Sequence, residues 1–135
     1  MKARAVDANV ILRFLTRDQP EQAERCKALF TRLEAGEEMV YLPEVVISEV
    51  VWTLRSFYKW PRQRIQRFVG HVITLKGSQL EDRGKLLHAL ALFAERNINF
   101  SDALIAAEML AKGYAEIYSY DRDFDKVTRV ERVEP

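Results

Sequence analysis

Four acidic residues stand where apolar segments of this chain begin, end or break, and any fold must accommodate their charges. Asp7 and Asp121 each follow a short apolar segment, Asp102 begins one, and Glu49 interrupts one. Carboxylates are rarely buried unless they are paired or bind a metal. Two carboxylates about 5 Å apart repel by roughly 3 kcal/mol at an effective dielectric near 20. A fold that gathers these four acids therefore favours a bound divalent cation.

Length and composition narrow the class of protein. The 135 residues suffice for one domain with its own core, and we expect a single domain over residues 1–135. The formal net charge of +1 shows no global basic excess, so any surface for nucleic acid must be a local patch. A lone cysteine, no signal-peptide pattern and no apolar run of the roughly 20 residues that span a bilayer lead us to expect a cytoplasmic protein.

Helical and strand-like patterns alternate along the chain. Strands are predicted at residues 3–7, in MVYLP, at 116–120 and in the tail VTRVERV. Helices are predicted at residues 8–15, from Pro20 to Gly36, at 44–58, 61–75, 83–96 and 102–112, the last with Ser101 as its N-cap. This alternation indicates an α/β protein with a parallel sheet.

The predicted elements place the four acids in related positions. Asp7 and Asp121 follow strands, and the carboxyl ends of parallel strands share one edge of a sheet, where ligands gather. Asp102 lies in the first turn of a helix, where the helix dipole stabilises its charge. Glu49 is predicted to lie among apolar neighbours in mid-helix, an unfavourable place for a carboxylate without a cation. Oxygen ligands without histidine or cysteine suit Mg²⁺ or Mn²⁺ rather than Zn²⁺.

Each acid also has a purely structural interpretation. Asp7 can be a helix N-cap, Asp102 a first-turn acid that favours the dipole, and Asp121 part of a solvated acidic turn. Glu49 can form a salt bridge with Arg55 or Lys59. Taken one at a time, the residues leave these interpretations open.

Two surfaces suggest contacts with other molecules. The predicted helix at 44–58 is apolar on most faces, so part of it is expected to meet another subunit or partner. Beside it, basic residues alternate with aromatic ones, as in a surface for the RNA backbone or for an acidic segment of a partner protein, although ordinary solvated side chains give the same pattern. The basic residues are Arg55, Lys59, Arg62, Arg64 and Arg67.

Four segments in a fixed order resemble one known family. They are DANVILRFL after the first strand, a Ser-Glu-Val following a Leu-Pro, FSDALIAAEML, and YDRDF near the end. This order is similar to that of the PIN-domain ribonucleases, and especially to the VapC-type toxins of type II toxin–antitoxin pairs. The resemblance covers essentially the whole chain, and DANVILRFL and FSDALIAAEML are its most specific parts.

The resemblance implies a fold, a site and an activity. The fold would be a Rossmann-like, three-layer α/β/α PIN domain with a central parallel sheet, and the family's four main acids match Asp7, Glu49, Asp102 and Asp121. Asp123 would be an accessory ligand, with Asn9 and Ser101 orienting the carboxylates. Such a site would hold Mg²⁺ or Mn²⁺ and hydrolyse RNA phosphodiester bonds by metal-activated water. The partners implied are an RNA substrate, a VapB-like antitoxin that inhibits the enzyme, and a second copy in a homodimer.

Two other classes remain open at this level. A Mg²⁺-dependent phosphatase or a phospho-acceptor domain also places an aspartate after its first strand, but the phosphatase needs a second aspartate where this chain has Asn9. A phospho-acceptor needs a lysine after a late strand, and Lys126 lies too deep in the acidic turn to fit well. A non-catalytic PIN-like interaction module would keep the acids without cleaving RNA.

Overall fold

The computed structural model describes residues 3–135, and they form two compact units that divide between Arg83 and Gly84. The single-domain organisation over residues 1–135 stays a prediction. None of the helices in the described part of the chain has the length and apolar character needed to cross a membrane.

The first unit combines a small parallel sheet with four helices. Its elements in chain order are β1 (Arg4–Ala5), α1 (Ala8–Thr16), α2 (Pro20–Ala35), β2 (Val40–Tyr41), α3 (Glu44–Ser56), α4 (Arg62–Thr74) and β3 (Ser78–Gln79). The strands lie in the order β1-β2-β3 and pair in parallel, with Arg4 opposite Val40 and Val40 opposite Ser78. Helix α1 packs against α2 and α3, and α3 packs against α4. The buried core includes Ile11, Leu33, Ile47, Leu54 and Ile65.

Local sequence signals explain where the helices of this unit begin and end. Pro20 occupies the first position of α2, where its missing N–H is not needed. Gly36 ends α2 in the left-handed conformation at φ +76°, and its N–H donates to the Leu33 carbonyl at 3.1 Å. Both features were predicted from the sequence. Helix α3 ends at Ser56, two residues before the predicted end.

Strand β3 was not predicted, because its two residues carry no apolar alternation. The sheet creates it through long-range bonds: the Val40 N–H donates to the Gly77 carbonyl at 2.9 Å, and the Leu42 N–H donates to the Gln79 carbonyl at 2.9 Å. Ser78 is fully buried, and its hydroxyl donates to the Val72 carbonyl at 2.7 Å. This bond satisfies a hydroxyl that would otherwise be costly to bury.

The second unit contains two helices and one parallel strand pair. Its elements are α5 (Arg83–Glu95), α6 (Phe100–Ala111), β4 (Glu116–Tyr118), a short 3₁₀ helix (Arg122–Lys126) and β5 (Glu131–Val133). Strand β5 pairs in parallel with β4, with Ile117 opposite Arg132. The tail strand was therefore predicted correctly in kind but over too long a segment.

Helix α6 begins two residues earlier than predicted, so the assignment of Ser101 as its N-cap is wrong. Asn99 is the N-cap residue, and its carbonyl accepts the first helical hydrogen bond from the Ala103 N–H at 2.9 Å. Phe100 starts the helix because its ring is buried against Phe93, with the ring centroids 6.1 Å apart. Ser101 is consequently the second residue of the helix and is exposed.

A glycine directly before β3 and a second one inside α4 provide a test of the close packing. We expect Gly77→Ala to lower the free energy of unfolding by about 2 kcal/mol or more, because the added Cβ would clash with the Glu38 carbonyl oxygen and lie 3.1 Å from the Leu33 Cα. Gly70→Ala, inside α4, meets no atom within 4 Å and should raise that free energy by up to about 1 kcal/mol. Urea unfolding measures the free energy of unfolding of both variants. Equal changes in the two variants would contradict the close packing around Gly77.

Candidate metal centre

Three aspartates of the second unit converge in space. Asp102, Asp121 and Asp123 each offer one carboxylate oxygen, and these oxygens all lie within 4.8 Å of one another. Asp102 and Asp123 are half-buried, and Asp121 is exposed. We call these three residues the acidic cluster. Two of them were predicted as main ligands and the third as an accessory ligand, so the structure brings together three of the five predicted acids.

Different elements position the three carboxylates. Asp102 lies in the first turn of α6, where unpaired N–H groups and the helix dipole favour a negative charge. Asp121 follows β4 and caps the 3₁₀ helix, because its Oδ1 accepts a hydrogen bond from the Asp123 N–H at 2.9 Å. The Asp121 N–H in turn donates to Ser119 Oγ at 2.9 Å. These bonds hold the chain between Ser119 and Asp123 in one conformation.

One lysine, which the sequence reasoning did not assign to the site, contacts the cluster. Lys126 Nζ lies 3.0 Å from Asp123 Oδ1 and also donates to the Asn97 carbonyl at 3.3 Å. It therefore ties the 3₁₀ helix to the loop before α6. The spacing of three residues between Asp123 and Lys126 in the sequence was the signal that could have identified this pair.

The electrostatics of the cluster show mutual repulsion. Burial raises the pKa of Asp102, and the negative charge of Asp121 together with a hydrogen bond to it raises that pKa further, as does the charge of Asp123. Desolvation and like charges both disfavour an ionised carboxylate. Of the three aspartates, only Asp123 forms an ion pair with Lys126. Much of the negative charge of the cluster therefore stays uncompensated.

This donor set fits a divalent metal ion. Its ligands would all be carboxylate oxygens, without a histidine or cysteine, which suits Mg²⁺ or Mn²⁺. Half-burial and the raised pKa of Asp102 mean that a cation at this point would relieve a repulsion that the protein otherwise retains.

Asp7 lies in the first unit, between β1 and α1. Its Oδ1 accepts a hydrogen bond from the Val10 N–H at 3.2 Å, so it does cap α1, as the structural interpretation held. The residue is exposed, and it lines a cavity of about 610 Å³ together with Val6, Val10 and Val46. Capping occupies one carboxylate oxygen, which is compatible with a second role for Asp7.

Glu49 is exposed on α3, so the expectation that its carboxylate is buried is wrong. The buried face of this helix is formed by Ile47, Val50, Val51 and Leu54, and the helical rotation turns Glu49 away from it. Within residues 3–135 it forms no ion pair with Arg55 or Lys59, so that structural interpretation fails as well. Among the described residues, Glu49 is thus a solvent-exposed carboxylate without an ion pair.

The two predicted supporting residues stand beside the acids in sequence. Asn9 is an exposed residue in the first turn of α1, and Ser101 is exposed in the first turn of α6. Their roles in orienting the carboxylates stay predictions.

Aromatic rings of the first unit contact part of the predicted basic surface. The Arg64 guanidinium lies 3.9 Å from the centroid of the Trp60 ring, and that of Arg67 lies 5.3 Å from the centroid of the Phe68 ring. Arg55 donates to the Trp60 carbonyl at 3.2 Å. All three arginines remain exposed, whereas Arg62 is half-buried and Lys59, three residues after the end of α3, is exposed.

Comparison with known proteins now identifies the fold family. A family model described as PIN domain matches residues 4–130. The chain belongs to the PIN domain family. This PIN domain is also 29% identical over 124 residues to a VapC ribonuclease of Aquifex aeolicus (strain VF5), an alignment that covers 92% of this chain and 91% of the relative. The predicted resemblance to VapC-type PIN proteins is thereby confirmed. The predicted α/β fold class is confirmed by the family match together with the parallel strand pairs.

The repulsion within the acidic cluster of this PIN domain generates a prediction. Asparagine caps a helix as well as aspartate does, so Asp121→Asn keeps the cap but removes one of the three charges. We expect the variant to melt a few degrees above the parent in EDTA, because a like charge has been removed. We also expect most of the rise in melting temperature on adding Mg²⁺ or Mn²⁺ to be lost.

Differential scanning fluorimetry with and without each cation measures both effects. Asp125→Asn is the matched control, since Asp125 lies in the same 3₁₀ helix but pairs with Arg132 at 3.1 Å rather than with the cluster. A parent whose melting temperature ignores both cations, or a control that behaves like Asp121→Asn, would contradict the metal site.

Proposed function

We propose that this protein is a metal-dependent endoribonuclease, a VapC-like toxin that hydrolyses RNA phosphodiester bonds. The observation that carries the proposal is the convergence of three carboxylate oxygens within 4.8 Å in a PIN domain similar to a VapC ribonuclease. The raised pKa of Asp102 supports it, because the cluster stores a repulsion that a catalytic cation relieves.

The residues of the cluster would divide the work of holding the metal. Asp102 and Asp121 supply the main ligands, and Asp123 is the accessory ligand, whose carboxylate Lys126 orients by the 3.0 Å ion pair. A bound Mg²⁺ or Mn²⁺ would supply Lewis-acid activation of the phosphodiester and of the attacking water. The Ser119–Asp121–Asp123 hydrogen bonds fix the ligands in advance, so little reorganisation is needed when the substrate arrives.

Asp7 and Glu49, both in the first unit, stay proposed as catalytic acids. The cap on α1 uses Asp7 Oδ1 and leaves its second oxygen for a ligand or a water. Glu49 is an exposed carboxylate without an ion-pair partner in the described chain, as suits a group that binds a metal or positions the attacking water. Mutagenesis decides both assignments.

The basic surface on and after α3 would hold the RNA backbone. Arg64 and Arg67 lie over aromatic rings, which restricts their side chains while leaving their guanidinium groups exposed to phosphate. Arg55, Lys59 and Arg62 extend the same surface. An acidic segment of a VapB-like antitoxin would compete for these cations, which gives one physical route to inhibition.

Substitution of the acids tests the enzyme directly. We expect Asp7→Asn, Glu49→Gln, Asp102→Asn and Asp121→Asn each to lower the cleavage rate on the order of 100-fold or more, the scale of losing one group that stabilises transition-state charge. Cleavage by the parent should need Mg²⁺ or Mn²⁺ and stop in EDTA. Gel analysis of structured RNA measures the rates, with Asp125→Asn as the control that retains activity.

Replacing each carboxylate by its amide separates an effect on folding from an effect on catalysis. Asp7→Asn preserves the cap on α1, so loss of cleavage with unchanged thermal stability assigns a catalytic role to the charge. The proposal fails if the four variants cleave as fast as the parent. Cleavage that persists in EDTA would reject the metal.

We also propose that α3 contributes to a homodimer. Val45 and Trp52 in α3, and Phe57 directly after it, are all largely exposed, Trp52 to 67%, and exposed large apolar side chains are typical of protein–protein contacts. Their exposure supports the interpretation of the excess apolar residues in this segment. A cytoplasmic location stays a prediction.

A charge placed on α3 tests the dimer. We expect Trp52→Glu to convert a dimeric parent to a monomer without loss of helix content, because an exposed residue contributes little to the core but an interfacial glutamate would be desolvated. Size-exclusion chromatography with light scattering gives the masses. Glu44→Gln, in the first turn of the same helix, is the control. Equal masses for parent and Trp52→Glu would exclude α3 from the interface.

A further inference from the structure

One arginine of β5 makes more hydrogen bonds than its place in a short strand requires. The side chain of Arg132 is 12% exposed, and each of its three nitrogen atoms has a hydrogen-bond partner. Nε and Nη2 donate to the two carboxylate oxygens of Asp125 at 3.1 and 3.4 Å. Nη1 donates to Glu134 Oε1 at 3.1 Å and to the Ser119 carbonyl at 3.2 Å. The proposed function gives this arginine no role.

The carbonyl that Arg132 contacts lies just before the acidic cluster. Strand β4 ends at Tyr118, and the N–H of the next residue, Ser119, donates to the Val133 carbonyl of β5 at 3.0 Å. The strand pair therefore fixes the peptide group before Ser119. The peptide group after Ser119 lies beyond the strand, and the bond from Arg132 Nη1 fixes its carbonyl. The backbone of Ser119 is thus held on both sides.

Ser119 connects this arginine to two residues of the cluster. Its hydroxyl accepts a hydrogen bond from the Asp121 N–H at 2.9 Å, and Asp121 Oδ1 accepts one from the Asp123 N–H at 2.9 Å. The ion pairs of Arg132 are formed with two other carboxylates. Its link to the cluster therefore runs through the backbone and hydroxyl of Ser119.

Local pairing compensates the charge of Arg132, so its contribution lies in its geometry. Two carboxylates, those of Asp125 and Glu134, face its single positive charge. A planar guanidinium presents its donors in a fixed fork, so it can bind Asp125 through two nitrogens and still direct Nη1 at a carbonyl. In Asp125→Asn, one oxygen remains for Nε, and Glu134 and Ser119 keep Nη1, so that variant leaves Arg132 in place.

We propose that Arg132 is a positioning residue for the acidic cluster, acting through Ser119 on Asp121 and Asp123. The proposal rests on the proposed function, because the placement of these carboxylates matters to the reaction only if they hold a cation. Carboxylates of like charge repel one another, so their backbone must be held if they are to stay together. Groups that hold metal ligands in place raise metal affinity, because the ligands need less rearrangement when the cation binds.

Arg132→Lys keeps the charge and removes the fork of donors. We expect this variant to bind Mn²⁺ about 10-fold more weakly than the parent in isothermal titration calorimetry, the lower end of the roughly 10-fold to 100-fold range for residues that hold metal ligands in place. RNA cleavage should show a lower kcat with an unchanged KM, because Arg132 acts on the ligands and not on the substrate.

Arg132→Met separates positioning from electrostatics by the direction of the change. Removal of a positive charge near three carboxylates strengthens cation binding if the charge is all that the arginine contributes. Loss of the positioning bond weakens it instead, and we expect Mn²⁺ affinity to fall by about 10-fold or more. Arg129→Met is the matched control, because Arg129 is an exposed arginine of the same unit. It removes an equal charge and should not weaken Mn²⁺ binding.

Amide hydrogen exchange tests the positioning without metal or substrate. The N–H groups of Asp121 and Asp123 are both hydrogen-bonded, so they should exchange slowly in the parent. This protection should be lost in Arg132→Lys and Arg132→Met and kept in Arg129→Met. The amides of α5 should stay protected in all variants, which shows that the second unit remains folded.

The outcomes distinguish the two proposals. If the parent binds Mn²⁺ and cleaves RNA, and Arg132→Lys equals it in affinity, kcat and amide protection, the positioning role is wrong and the nuclease stands. Tighter Mn²⁺ binding by Arg132→Met would overturn the positioning role in favour of an electrostatic one. A lower melting temperature with unchanged affinity and protection would overturn it in favour of a structural one. If the parent neither binds Mn²⁺ nor cleaves RNA, the proposed function fails, and amide exchange decides whether Arg132 fixes Asp121.

Discussion

The repulsion among Asp102, Asp121 and Asp123 is the interaction on which the candidate site depends. Their oxygens lie within 4.8 Å, and burial together with like charge raises the pKa of Asp102. The protein holds them there through backbone groups: the first turn of α6 favours the charge of Asp102, and the Asp123 N–H fixes the carboxylate of Asp121. The stability of the surrounding helices offsets the repulsion, and a cation would convert it into binding free energy. A cluster of like charges lowers stability, which is a common property of functional sites.

The basic residues of the described chain leave most of this repulsion uncompensated. Lys126 contacts Asp123 and the Asn97 carbonyl, so it orients one ligand without neutralising the other two. Arg132, which could have been a second counter-ion, is instead engaged by Asp125 and Glu134. Arg64 and Arg67, which we propose attract RNA, lie over aromatic rings of the first unit and remain exposed. In the proposed function, different basic residues therefore orient the carboxylates and attract the substrate.

The aromatic residues show a similar division. Phe93 and Phe100 are buried against each other and determine where α6 begins, which sets the position of Asp102 in the first turn. Tyr118 and Tyr120 leave their rings in solvent while the backbone between them is fully bonded. Preorganised segments of this type lose little conformational entropy on binding, because the chain is already ordered.

The amino-acid sequence by itself determined the local features of this protein. Pro20 and Gly36 mark the ends of α2 because their backbone preferences act at one residue, and the spacing of apolar residues identified the helices for the same reason. The order of its acidic segments was also sufficient to indicate the family that the comparison confirmed. Only the tertiary structure decided the rest. Strand β3 forms because the Val40 and Leu42 N–H groups donate hydrogen bonds to the carbonyls of Gly77 and Gln79. Glu49 is exposed because the packing of α3 determines which face of that helix is buried. The acidic cluster also depends on the tertiary structure, because the folding of β4, α6 and the 3₁₀ helix brings Asp123 close to Asp102 and Asp121. The same folding brings Lys126 into contact with Asp123. Distances across a fold are set by packing and not by positions along the chain.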